Sequence, residues 1–153
     1  MSRRTTYAIR LATPVDLTDL CHMCIRFAET YPAPSIEYRK TIAVFQEMME
    51  SDEGIVLVAD VSRPVACLMG RTHEWLFSRE KVAAELLWWV DPEYRRTTIA
   101  RDLQNAFNEW AVSQGADILQ MSMAVTDQSP LIGRYYRRQG FTHTESHYLK
   151  RLT

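Results

Sequence analysis

Apolar and polar positions alternate from Tyr7 to Leu11 with the two-residue period of a strand, and Thr13-Pro14 then supplies a helix cap and a proline at the first helical position. A helix is predicted from about Pro14 to Ala28, since Leu17, Leu20, Cys24, Ile25 and Ala28 recur at three- and four-residue spacing along one face. Tyr31-Pro-Ala-Pro-Ser35 breaks it. A second amphipathic helix carrying Ile42, Phe45, Met48 and Met49 runs from about Glu37 to Glu50, before the acidic turn Ser51-Asp-Glu-Gly54. From Gly54 the period shortens: Ile55 to Asp60, Val65 to His73 and Val82 to Val90 read as an antiparallel meander, with Arg63-Pro64 at its first turn. Helical spacing returns from Thr97 to Ser113 through Ile99, Leu103, Ala106, Phe107 and Trp110, and Gly115 stops it. Ile118 to Val125 reads as a strand, about Pro130 to Gln139 as a helix ended by Gly140, and Phe141 to Leu152 as a last strand or hairpin. This order is α+β with one crossover in the C-terminal half, and one sheet covered by helices is its economical solution.

Composition narrows the function classes. A chain of 153 residues fits a single domain, 1–153, and buries roughly two thirds of its unfolded surface without help from a metal or disulfide. Net charge is -1 and the isoelectric point about 6.4, which argues against a nucleic-acid or anionic-membrane partner. Three cysteines, Cys21, Cys24 and Cys67, form no disulfide framework, and the N-terminus lacks the apolar run of a signal peptide or membrane span, so a cytoplasmic protein is expected. Cys21-His-Met-Cys24 has a metal-like spacing, but no second pair completes four ligands and both cysteines fit the helical period, so no metal is expected.

The candidate chemistry sits where the strand ending at Asp91-Pro92 runs through Glu93-Tyr-Arg-Arg-Thr-Thr98 straight into a helix. Bare amides at a helix N-terminus, with the positive end of its dipole, suit a phosphate or pyrophosphate, and Arg95 and Arg96 add charge. Arg95-Arg96-Thr97-Thr98-Ile99-Ala100 resembles the signature turn of the GNAT superfamily of acyl-CoA-dependent N-acetyltransferases, matching at Arg95 and Ala100 and departing at Thr98, where the family usually has Gly. Thr98 brings a Cβ near the pyrophosphate path and a hydroxyl that could donate to it. Tyr135-Tyr-Arg-Arg-Gln-Gly-Phe141 looks like the family's second signature, in the family's order and at about its separation. Leu87-Trp-Trp-Val-Asp-Pro92 and Asn108-Glu-Trp-Ala111 look similar to GNAT proteins encoded by tailed bacteriophages.

The resemblance implies a GNAT-like single mixed sheet of six to seven strands flanked by about four helices. It implies acetyl-CoA as co-substrate and direct transfer to an amine on a small molecule or protein, with a homodimer through the C-terminal strands as the family tendency. By position it implies that the acyl-pantetheine runs along the backbone of Trp88, Trp89 and Val90, that the turn from Arg95 to Ala100 holds the pyrophosphate, and that Ser129 stands where relatives carry a coenzyme-contacting Asn. Tyr136 matches the Tyr that protonates the leaving thiolate. Glu85 is the candidate general base, acting through water, because a lysine-like amine with a pKa of about 10.4 must shed a proton.

Tyr31, Trp75, Phe77 and one of Trp88 and Trp89 are candidates for the acceptor cleft, since strand neighbours face opposite ways. The stretch from His73 to Lys81 is the candidate specificity loop. Two readings stay open: an active N-acetyltransferase, and a GNAT-fold coenzyme-binding or interaction module with weak or no catalysis.

Overall fold

The computed structural model describes residues 5–31 and 34–152 and divides into two compact units, Met1–Ser122 and Met123–Thr153. Pro32 and Ala33, the middle of the expected helix break, lie outside the described residues.

In the first unit, β1 (Ala8–Leu11) leads through a one-turn 3-10 helix at Pro14–Asp16 into α1 (Leu17–Thr30) and α2 (Tyr38–Glu50). The meander β2 (Gly54–Asp60), β3 (Pro64–Glu74) and β4 (Lys81–Val90) follows, then α3 (Ile99–Ser113) and β5 (Ile118–Gln120). The strands lie in the order β1-β2-β3-β4-β5, antiparallel throughout except that β5 runs parallel to β4. That exception has a cause in the connection: a tight turn can only reverse a strand, whereas the α3 crossover carries the chain back to the same end.

Helices cover both faces of the sheet, and this explains why Ile55 to Ala59 is a continuous apolar run rather than an alternating one. Ile55, Leu57 and Ala59 face α3 with Leu103 and Phe107, while Val56 and Val58 face α1 and α2 with Leu20, Met23, Phe45 and Met48. Cys21 and Cys24 are both buried, Cys24 in the cluster under the sheet and Cys21 with its thiol toward the Tyr38 carbonyl of α2. Gly70 lets α3 approach β3: a Cβ there would lie 2.4 Å from the Phe107 ring and 2.9 Å from the Ala84 carbonyl oxygen.

The register between β3 and β4 slips at one point. Met69 pairs with Leu87 but Gly70 pairs with Glu85, so Leu86 is an extra residue, a β-bulge. Strict alternation of faces is interrupted there and the side chains around Glu85 are re-aimed.

The second unit contains α4 (Ser129–Arg138), closed by Gly140 at φ 88°. The Phe141 N–H donates to the Tyr136 carbonyl and the two rings sit 5.3 Å apart, the hydrogen bond and apolar contact of a Schellman cap. The aromatic-to-Gly-Phe motif is thus first of all a helix stop.

Five strands form among the described residues, fewer than the six to seven expected. The strand expected to reach Val125 ends at Gln120, and the Ser122 N–H is taken by the Glu85 carboxylate at 2.9 Å, not by a ladder carbonyl. Residues 141–152 form no strand. Their apolar side chains Tyr148, Leu149 and Leu152 are exposed, leaving no buried face to fix a register, and His143 bonds locally to the Glu145 carbonyl.

Candidate functional site

Strand β4 carries the candidate site along its length. Its parallel ladder with β5 covers only residues 82–84, opposite 118–120, whereas its antiparallel ladder with β3 continues to Val90. The last stretch of β4 is therefore laddered to a strand on one side alone among the described residues. Backbone polar groups beyond a ladder are the natural place for an extended chain to pair.

Both tryptophans of this stretch pack against the core, on opposite faces of the sheet. Trp88 packs on the α3 cluster. Trp89 is buried against α1, edge-on to Phe27, and its indole N–H donates to Asp91 Oδ1 at 2.9 Å. Arg26 of α1 reaches the same oxygen at 2.8 Å, and the Arg95 guanidinium lies 4.7 Å above the Trp89 ring. Arg95 also donates from Nε to the Val90 carbonyl at 2.9 Å. It thereby ties the turn to the end of β4.

Beyond a short 3-10 turn at Pro92–Tyr94, the chain enters α3. Thr97 Oγ1 donates to the Tyr94 carbonyl at 2.6 Å and accepts from the Ile99 N–H at 3.3 Å. The first intrahelical bond is that of the Asp102 N–H to the Thr98 carbonyl. The N–H groups of Thr98, Ala100 and Arg101 donate to no acceptor among the described residues, so three amides open outward beside the exposed Arg96.

Thr98, at φ -85° and ψ 0°, has a backbone any residue adopts, so this turn does not require glycine for its conformation. Its hydroxyl is bonded to the phenol of Tyr7, which in turn donates to Asp102 Oδ2. A phenol has one proton to give, so the Thr98 hydroxyl donates to Tyr7. The Asp102 carboxylate is held below its usual range, chiefly by the Tyr7 hydrogen bond and further by Arg101.

Midway along β4, Glu85 is buried, only 6% exposed, at the edge of an open cleft of about 510 Å³ lined by Arg71, His73, Ala84, Leu86, Gln120 and Ser122. Burial pushes its carboxyl up to about 7, against the opposing effect of the Ser122 N–H. A carboxyl there exchanges its proton near neutral pH.

The family model for acetyltransferases of the GNAT family matches residues 20–141, most of the chain and both motif regions. The chain belongs to the acetyltransferase (GNAT) family. No curated protein matches it in sequence. Solved structures agree on the fold. An aminoglycoside acetyltransferase from an uncultured soil metagenomic sample, solved with trehalose and with sisomicin, is similar at a TM-score of 0.73 and 17% identity, over 96% of this chain and 97% of its own. The aminoglycoside N-acetyltransferase AAC(6')-Iy, solved with CoA, gives 0.74 and 17% over 99% and 97%. A putative acetyltransferase from Agrobacterium tumefaciens gives 0.74 and 19% over 94% and 99%.

Within this GNAT chain, Tyr136 is buried on α4 in the second unit. Ser129 is the first residue of α4, and its hydroxyl accepts from the Thr126 N–H at 2.8 Å and donates to the Ala124 carbonyl at 3.1 Å. These bonds hold the entry to α4. Trp75 and Phe77 stand exposed at the β3–β4 turn, and Tyr31 stacks on Phe27 at 5.1 Å.

The sequence reading missed Tyr7, Asp91 with Arg26, and the cleft residues Arg71 and Gln120. Tyr7 was visible only as the first residue of an alternating strand, and its partners are 91 and 95 residues away. Among the described residues no three His, Cys, Asp or Glu side chains gather as a metal site requires, and no helix is long and apolar enough to cross a membrane.

Proposed function

We propose that the chain transfers the acetyl group of acetyl-CoA to a primary amine by direct attack in a ternary complex. The observation that carries this reading is the set of outward amides of Thr98, Ala100 and Arg101, which follow directly on the end of β4. A pyrophosphate suits those donors, with Arg96 supplying charge, and the pantetheine arm then lies along Trp88, Trp89 and Val90 as the family implies. In this reading Arg95 acts by holding the turn.

Glu85 is the general base. With a carboxyl near 7 it accepts, through water, the proton the ammonium must lose, and the amine then attacks the thioester carbonyl. The N–C bond forms as the C–S bond breaks, the thiolate takes a proton from Tyr136, and the proton shed by the new amide nitrogen restores the phenol. That last role rests on the motif from Tyr135 to Phe141. CoA and aminoglycosides accompany the structural neighbours, which supports an amine acceptor of small-molecule size.

A thiol-release assay with acetyl-CoA and a panel of amines tests the proposal. Release that depends on an amine and is lost in both Glu85→Gln and Tyr136→Phe supports it. Acetyl-CoA binding without release for any amine supports instead the coenzyme-binding module, a reading favoured by the Asp102 carboxylate one turn from the amides and by the Thr98 hydroxyl turned to Tyr7.

A further inference from the structure

We propose that the cleft beside Glu85 takes a compact amine that also carries an anionic group, recognised by Arg71. This rests on the acetyl-transfer reading and names its acceptor class. The strand register builds the site: Arg71 of β3 pairs with Ala84 of β4, and Ala84 with Gln120 of β5, so the three form one row across a single face of the sheet. The methyl of Ala84 makes a floor, and Arg71 and Gln120 make walls two strand spacings apart, roughly 10 Å. Glu85 closes one end, and His73, two residues beyond Arg71, shares its face. A trough of this width admits a molecule of amino-acid size.

Its charge is the second observation. The Arg71 guanidinium makes no ion pair or hydrogen bond among the described residues, although it lies across the ladder from the neighbour of Glu85. Glu85 instead directs an oxygen to the Ser122 N–H, and among the described residues it is the only carboxylate lining the cleft. A guanidinium left with its donors open matches a carboxylate or phosphate in two-pronged geometry. A polycation would meet like charge at Arg71 and find a single carboxylate, which selects against it. This separates the chain from the aminoglycoside acetyltransferases whose fold it shares.

Isothermal titration of the CoA complex with matched probes tests the assignment: glycine against glycinamide, phosphoethanolamine against ethanolamine, and spermidine. The expected result is at least about tenfold tighter binding of an anionic member than of its neutral partner. In Arg71→Gln the ratio falls to near one while CoA affinity is unchanged. Which pair shows the larger ratio tells carboxylate from phosphate. Equal binding within both pairs, tightest binding by spermidine, or a preference that survives in Arg71→Gln overturns the proposal. Because binding alone is read, a preference found without acetyl transfer counts against the enzyme reading and not against this one.

Discussion

The middle of β4 and the turn beyond its end, at the start of α3, meet opposite electrostatic problems. At the start of α3, the proposed anion site, the nearby carboxylate of Asp102 is tied to Tyr7 and Arg101 while three amides stay open. At Glu85, the proposed base, burial lifts the carboxyl to about 7 against the opposing effect of its one amide donor. The same functional group, a carboxyl, is thus kept charged in one place and poised to titrate in the other. The difference lies in solvent and donors, not in sequence motif.

The largest effect is expected where the poised carboxyl is removed. Glu85→Gln lowers kcat by about 10²- to 10⁴-fold, measured by thiol release, while acetyl-CoA affinity stays within about twofold. In the wild type, kcat/KM rises with pH to a plateau above about 7. A loss of coenzyme affinity equal to the loss of rate would show that the two places are not separate.

Stability gives an independent check on Glu85. Its folded value of about 7 exceeds the ordinary 4.5, so the folded state holds its proton more tightly than the unfolded one. Stability is then full below about 4.5 and is lost as pH rises through about 7. Urea unfolding should find Glu85→Gln more stable than wild type at pH 8, by up to about 3 kcal/mol, and equal to it at pH 4.

Smaller changes are expected at the coenzyme end. Tyr7→Phe releases Asp102 and raises the acetyl-CoA KM by about fivefold, near 1 kcal/mol, with kcat unchanged; adding Asp102→Asn returns KM to the wild-type value. A fall in kcat instead would mean that Tyr7 acts beyond the anion site. Thr98→Gly should have the smallest effect, a few tenths of a kcal/mol in stability and less than about a twofold change in coenzyme KM, because the hydroxyl already points to Tyr7.

What the sequence made legible follows how local each cause is. The helices and the β2–β4 meander follow from spacing, and the stop at Gly140-Phe141 from a cap whose bonds span five residues. The bulge at Leu86 was not legible, because register is decided by β3 and by the close seating of Phe107 on Gly70. The early end of β5 has a similar origin, since the Ser122 amide goes to a carboxylate 37 residues away. Arg95 stands at a motif position, yet its stacking on Trp89 depends on the Asp91–Arg26 pair that fixes the indole.

Isothermal titration of the protein with acetyl-CoA tests the central claim most directly. The account predicts saturable binding of one molecule per chain below about 1 mM, weakened by Tyr7→Phe and not by Glu85→Gln. No binding at millimolar acetyl-CoA, or binding indifferent to Tyr7, would contradict it.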